Sequence, residues 1–265
     1  MSGRLAGKVA IVKGGAMGLG EANCRLTAAE GARVVVAEID PQGEEVARAI
    51  GGLFVRHDVT DEAAWVDLVA RVERELGALH VLVNNAGVVA PGTPEAVSAD
   101  DLRRILAVSL EGVVWGTKHA LPSMRRAGSG SIINMASIAS VTGEPYVAAY
   151  AAAKGAVEAS TRATAVHCAQ RGDPIRANSV YPAGIDTPVV RSMGAALARA
   201  GSRPLAQSDH AAGRNPLGRP EDVAHRAVCL ASDRSAFVSG RRFVIDRTAS
   251  ITQGAVPPVR PGEAP

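Results

Sequence analysis

The sequence predicts an α/β fold in which helices cover both faces of a parallel β-sheet. Short apolar segments, typical of buried strands, alternate along the chain with longer amphipathic or alanine-rich segments of helical length. A glycine-rich turn joins the first of these strands to the first helix. Polar residues follow several strands directly, at the edge where open α/β sheets build their binding sites.

The chain has 265 residues, of which 47% are hydrophobic, enough to form one large domain with a sizeable core. No linker-like segment or internal repeat divides it. We therefore predict a single domain over residues 1–252. The Pro/Gly-rich residues 253–265 are predicted to form a flexible tail.

Composition also limits the partners and the compartment. The net charge is only +3 and the basic residues are scattered, which argues against nucleic-acid binding. Neither a signal peptide nor an apolar run long enough to span a membrane is present, so a cytoplasmic location is expected. Cys24, Cys168 and Cys229 are odd in number and far apart, which is typical of free thiols in a reducing compartment. The His and Cys residues have no metal-ligand spacing, so no metal is expected.

The first predicted strand, residues 8–13, leads into the turn GGAMGLG and then into a helix. Backbone N–H groups at such a helix N-terminus can bind a pyrophosphate closely, because glycine has no Cβ. The alternative is an ordinary tight turn. A second strand, residues 33–37, ends at Glu38, where an acid is expected to bind a ribose diol. The alternative for Glu38 is an ordinary surface acid.

The remaining elements continue the alternation. Residues 187–215 are predicted to be partly helical and to lie over the cleft as a lid. The other predicted helices are 42–50, 61–76, 100–126, 148–165 and 220–232, and the other strands are 53–56, 80–83, 132–133, 175–180 and 242–245.

Residues 131–154 carry the groups suited to catalysis. Tyr150 and Lys154 are four residues apart in a predicted helix, so the phenol and the ammonium share one face. Ser137 lies in the loop that precedes this helix. A neighbouring ammonium is expected to lower the tyrosine pKa and so favour proton exchange with an alcohol. The alternative is an ordinary pair on a helix surface.

These motifs together resemble the short-chain dehydrogenase/reductase family over residues 5–251. GGAMGLG resembles its cofactor loop, Asp58-Val59 its adenine-contacting pair and NNAG at 84–87 the segment that closes over the cofactor. Ser137, Tyr150 and Lys154 have the family's catalytic order and spacing. The cofactor-binding residues implied by the resemblance are Gly14, Met17, Gly18, Leu19, Gly20, Glu38, Asp58, Val59, Asn85, Ala86, Gly87, Tyr150, Lys154, Pro182, Gly184, Ile185 and Thr187.

The resemblance implies a three-layer αβα Rossmann-like fold with a seven-stranded parallel sheet, in a homotetramer or homodimer whose subunits meet at the helices 100–126 and 148–171. It implies reversible hydride transfer between a secondary alcohol and NAD. Tyr150 would be the general acid/base, Lys154 would bind the nicotinamide ribose and lower the tyrosine pKa, and Ser137 would polarise the substrate oxygen. Ser109 stands where the family usually has an asparagine that holds a relay water.

Within the family, the sequence looks most like bacterial NAD-dependent hydroxysteroid dehydrogenases of the 3β/17β type, followed by cyclic-alcohol dehydrogenases. NAD is favoured over NADP because Glu38 would repel a 2′-phosphate and Met17 is apolar. We expect a small apolar substrate. The alternatives are the same chemistry on a sugar alcohol or acyl ketone, and a dinucleotide-binding protein of low catalytic activity.

Three further departures from the family pattern stand out. Lys13 replaces a threonine, and is expected either to extend to solvent or to pair with an acid or phosphate. Ala183 replaces a glycine, which predicts a negative φ there. Arg247 and Thr248 replace two glycines.

Overall fold

The computed structural model describes residues 3–199 and 217–251. A seven-stranded parallel sheet forms the middle of the protein, in the order β3-β2-β1-β4-β5-β6-β7. This confirms the predicted fold. The strands are β1 Val9–Lys13, β2 Arg33–Glu38, β3 Leu53–Arg56, β4 Val81–Asn84, β5 Gly130–Met135, β6 Ile175–Pro182 and β7 Arg242–Ile245.

The central strands are mainly apolar because helices cover both faces of the sheet. All five residues of β1 are buried. Alternate side chains enter different cores: Ala10 and Val12 belong to the cluster on one face, and Val9 and Ile11 to the cluster on the other. The sheet therefore separates two apolar layers.

Helices flank this sheet, and none of those in the described residues is long and apolar enough to cross a membrane. Residues 200–216 and 252–265, which include part of the predicted lid and the predicted tail, lie outside the described residues. The helices are α1 Gly18–Ala29, α2 Gln42–Ala49, α3 Glu62–Leu76, α4 Ala99–Leu106, α5 Gly112–Ala127, α6 Ala139–Thr142, α7 Ala148–Arg171, α8 Pro188–Arg199 and α9 Pro220–Ala231.

The prediction of one regular helix over residues 100–126 is wrong in its middle. A π-helical turn, Ala107–Glu111, separates α4 from α5. Wider i→i+5 turns of this kind occur frequently at functional sites. Ser109 is in this turn and is fully buried.

The strand order reverses at β1 and β4. From β1 the chain proceeds to β2 and β3 on one side, and β4 starts the other half of the sheet. Ligands bind in the crevice at the carboxyl ends of the strands at such a point. The loops after β1, β4, β5 and β6 therefore define where a site would lie.

Arg247 and Thr248 both have left-handed backbones, with φ values of 46° and 73°. This conformation costs about 1–2 kcal/mol for a residue with a side chain, and is least favourable for a β-branched one. We expect Thr248→Gly to raise the free energy of unfolding by about 1 kcal/mol, because glycine adopts this φ without strain. Urea unfolding of the variant and of the wild-type protein measures this difference in the free energy of unfolding. An equal gain from Thr248→Ala would show that strain is not the cause.

Candidate active site

The turn after β1 is shaped by its glycines. Gly14 has a φ of +74°, and a Cβ there would lie 2.6 Å from Ala86 Cα. A Cβ on Gly20 would lie 1.7 Å from the Gly14 carbonyl oxygen. Side chains are excluded at both positions, so the turn stays thin and α1 begins at Gly18 with its first N–H groups at the crevice. Met17 is exposed beside this turn, and Leu19 packs against the core.

The loop after β4 is fastened to this turn. The side-chain amide of Asn85 donates to the Gly14 carbonyl at 2.9 Å. The backbone N–H of Ala86 donates to the Lys13 carbonyl at 2.9 Å. The structure thus joins the two loops that the resemblance assigns to the cofactor.

Glu38 ends β2 next to the glycine-rich turn. One carboxylate oxygen accepts from the N–H of Ala16 at 3.3 Å, and the other accepts from the N–H of Ile39 at 2.8 Å. The carboxylate is therefore held at the edge of the turn. A thin turn at a helix N-terminus with an acid beside it fits the pyrophosphate and ribose diol of a dinucleotide.

Asp58 and Val59 lie in the loop after β3. The Asp58 carboxylate accepts from the N–H of Thr60 at 2.9 Å and from its hydroxyl at 2.8 Å. These bonds lower the pKa of Asp58. Val59 is buried, and its carbonyl accepts from the indole N–H of Trp65 at 3.1 Å. The N–H of His57 donates to the Glu38 carbonyl at 3.0 Å, which ties this loop to the end of β2.

Ser137, Tyr150 and Lys154 meet where β5 ends and α7 begins. Lys154 is only 3% exposed, and its Nζ donates to the Met135 carbonyl at 2.6 Å. The same Nζ lies 5.6 Å from the centre of the Tyr150 ring. Ser137 follows β5, and its hydroxyl lies close enough to the Tyr150 phenol to act on the pKa of that phenol. The helical spacing of Tyr150 and Lys154 thus produces the expected shared face.

The electrostatics of this pair differ from the expectation. Burial raises the pKa of Tyr150, and the Ser137 hydroxyl nearby opposes the rise. Burial also lowers the pKa of Lys154 to about 8. The net shift of the tyrosine pKa is therefore upward and not downward as expected, because burial disfavours the charged form of the phenol.

Ser109 lies next to Lys154. Its hydroxyl accepts from the N–H of Val88 at 3.3 Å and faces the Val88 carbonyl at 3.4 Å. A Cβ on Gly87 would lie 3.3 Å from Lys154 Nζ and 3.4 Å from Ser109 Oγ. Because Gly87 has no side chain, the loop after β4 can pass close to both Lys154 and Ser109.

The segment after β6 completes the crevice. The Pro182 carbonyl accepts from the N–H of Ile138 at 3.2 Å, which joins this segment to the Ser137 loop. Thr187 is buried, and its methyl carbon would lie 3.1 Å from a Cβ on Gly18. Ile185 is buried beside it, and Gly184 accepts from the N–H of Gly218 at 3.0 Å. Ala183 has no positive φ, as expected.

A network of buried polar side chains, which no sequence motif predicted, lies beneath the site. The amide of Asn84 donates to the Asn134 side chain at 2.8 Å, and Asn134 donates to the Thr161 hydroxyl at 2.9 Å. Thr161 in turn donates to the Val157 carbonyl at 2.7 Å. This network of hydrogen bonds links β4, β5 and α7. Asn134 lies within a mostly apolar strand. A polar amide in such a strand is the sequence feature that could have pointed to this network.

Fold and site together define a dinucleotide-binding α/β protein with a Ser/Tyr/Lys cluster at the carboxyl edge of its sheet. A family model described as enoyl-(acyl carrier protein) reductase matches residues 14–247. A solved structure from Burkholderia xenovorans, described as a short-chain dehydrogenase/reductase, has a TM-score of 0.83 and 34% identity over 94% of this chain and 98% of that one. The chain belongs to the short-chain dehydrogenase/reductase family of oxidoreductases, which bind a nicotinamide dinucleotide.

Two similar proteins differ in what their names specify. The 3-beta-hydroxysteroid dehydrogenase of Comamonas testosteroni is 41% identical over 94% of this chain and 98% of its own length. The NADP-dependent (R)-specific alcohol dehydrogenase of Lentilactobacillus kefiri is 39% identical over 93% of this chain and 98% of its own length. Similarity alone therefore leaves both cofactor and substrate to be inferred from the site.

Proposed function

We propose that this protein catalyses reversible hydride transfer between NAD and an apolar cyclic secondary alcohol, with a steroid as the preferred class. The observation that carries the proposal is the convergence of Ser137, Tyr150 and Lys154 beside the loops that fit a dinucleotide. The steroid named for the Comamonas testosteroni relative supports the substrate class.

Each member of the cluster has a distinct task in this proposal. Tyr150 takes the hydroxyl proton of the alcohol during oxidation and returns it during reduction. The Ser137 hydroxyl binds the substrate oxygen and stabilises the charged phenol. Lys154 binds a ribose hydroxyl and, when protonated, favours the ionised phenol. Bound NAD supplies the hydride acceptor.

The preference for NAD rests on Glu38. Its carboxylate stands at the edge of the glycine-rich turn, bonded to the N–H of Ala16. A 2′-phosphate placed there would meet a negative charge at close range. The NADP dependence of the Lentilactobacillus kefiri relative makes this position the natural place to test cofactor choice.

The preference for an apolar substrate rests on the surroundings of Tyr150. Val88, Ala90 and Val97 from the loop after β4 pack in the same apolar cluster as the tyrosine ring. Two backbone bonds at the start of α7 hold this loop there. The N–H of Gly92 donates to the Tyr146 carbonyl at 2.8 Å, and the Gly92 carbonyl accepts from the N–H of Ala148 at 3.1 Å. Apolar walls with a few fixed polar groups are typical of sites for apolar small molecules.

We also propose that the protein acts as a homotetramer or homodimer. Val114 on α5 is 37% exposed and Val166 on α7 is 55% exposed. Both helices are those that the family resemblance places between subunits. Burial of these side chains by a second copy would remove apolar surface from water.

The function is tested by adding NAD and a panel of steroid and cyclic alcohols, and by following NADH absorbance over a range of pH. Oxidation is expected to speed up as pH rises, because it needs the ionised phenol and burial raises the pKa of Tyr150. Ketone reduction needs the protonated phenol, so it is expected to slow over the same range. Tight NADH binding without turnover on any alcohol or ketone would instead support a binding protein of low catalytic activity.

A further inference from the structure

Lys13 is a fully buried lysine at the end of β1, and the mechanism above does not use it. Its Nζ faces the Val108 carbonyl at 3.5 Å. Lys13 does not reach solvent and pairs with no carboxylate of the described residues, so two of its three expected partners are wrong, and pairing with a phosphate stays a prediction. An isolated ammonium in such a place would be very costly, whereas an uncharged amine is tolerated.

The charged and titratable groups near Lys13 reinforce this conclusion. Lys154 on α7 is close enough to lower the pKa of Lys13 further, after burial has already lowered it well below its usual range. His57, in the loop after β3, also interacts with Lys13, and burial lowers the pKa of His57 to about 4. The carboxylates of Asp58 and Asp61 act on His57 in the opposite direction and favour its protonation. Two cations side by side in this interior are therefore unfavourable.

Lys13 contacts the helical segment that holds Ser109. Val108 and Ser109 are neighbours in the π-helical turn, and a Cβ on Gly112, which begins α5, would lie 3.0 Å from Lys13 Nζ. The Ser109 hydroxyl binds Val88 in the loop that passes Lys154. Lys13 thus contacts the turn at Val108 and Gly112, and Lys154 lies near its Ser109 residue.

We propose that Lys13 is a positioning residue, whose uncharged amine holds the π-helical turn at Val108 and so keeps Ser109 bonded to Val88 beside Lys154. The inference deepens the proposed function and rests on it for its catalytic consequence. Protonation of Lys13 would be opposed by the positive charge of protonated Lys154.

The charge state can be measured without turnover. The chain has only four lysines, Lys8, Lys13, Lys118 and Lys154, so NMR of protein labelled at lysine Cε gives few signals, assigned by substitution. We expect the Lys13 signal to titrate well below the ordinary range of lysine. Lys154→Met should shift this titration to higher pH, because it removes the opposing charge. A Lys13 signal that titrates in the ordinary range, or that Lys154→Met leaves in place, would overturn the proposal.

The positioning role is tested by two variants that differ only in the donor. Lys13→Met removes the amine, whereas Lys13→Gln keeps an uncharged N–H donor. In Lys13→Met the Val88 amide should lose protection from hydrogen exchange, and kcat should fall by about 10- to 100-fold, the scale of a small misplacement. Lys13→Gln should recover most of both losses.

Lys118→Met, at an exposed position on α5, is the matched control and should change neither quantity. Equal losses in Lys13→Met and Lys13→Gln would show that the donor does not matter and would refute the proposal, as would an unchanged Val88 amide in Lys13→Met. The lysine titration and the hydrogen exchange need no substrate. Failure of the proposed function is therefore distinguishable from failure of this inference.

Discussion

Tyr150→Phe is expected to lower kcat for alcohol oxidation by about 100- to 10,000-fold, the usual contribution of a general acid/base. The substitution removes only the phenol hydroxyl near Ser137, and leaves the ring in its apolar cluster. The affinity for NADH, measured by the change in NADH fluorescence on binding, should change little. The activity loss would therefore be a loss of proton transfer and not of cofactor binding.

The matched control is Tyr146→Phe, which removes a tyrosine hydroxyl four residues before Tyr150, in the loop that leads into α7. We expect its kcat to stay within a small factor of the wild-type value. Should Tyr150→Phe oxidise the best alcohol as fast as the wild type, the proposed mechanism would be wrong. The fold and the dinucleotide site would be unaffected by that result.

Glu38→Gln is expected to raise the ratio of kcat/KM for NADP to that for NAD by about 10- to 1000-fold. Two unit charges at about 4 Å repel by roughly 1 kcal/mol in water and about 4 kcal/mol near a protein surface, and each 1.4 kcal/mol is about tenfold. Glutamine keeps an oxygen that can accept from the N–H of Ala16. The change therefore isolates the charge. Steady-state kinetics with both cofactors measure the ratio.

Glu45→Gln is the control for net charge, because Glu45 is an exposed acid of α2. It should leave the ratio unchanged if repulsion acts only at close range, since salt screens more distant surface charges. A wild-type protein that prefers NADP would contradict the role given to Glu38. So would a Glu38→Gln variant that retains the wild-type ratio.

The features that sequence predicted well depend on neighbours in the chain. The glycine-rich turn and the helical pair Tyr150 and Lys154 are local patterns, since a glycine fixes its own backbone freedom and a helix fixes which residues share a face. Strand positions followed from short apolar runs, because a sheet covered on both faces consists mainly of apolar residues. Family membership followed from the order of several such motifs, and the comparisons confirmed it.

The errors came from properties that depend on distant residues. The π-helical turn at Ser109 lies in a segment with an ordinary helical pattern, and only its packing reveals it. The direction of the Tyr150 pKa was wrong because the spacing shows the neighbouring cation but not the burial of both groups.

The sequence by itself therefore determined the family, the sheet with its flanking helices and the identity of the candidate catalytic groups, since these follow from short-range backbone geometry and apolar patterning. Only the tertiary structure decided the burial of Lys13, the hydrogen bonds that join the loops and the charge states at the site. Those depend on how far each group is removed from water and on which partners segments from distant parts of the chain bring to it.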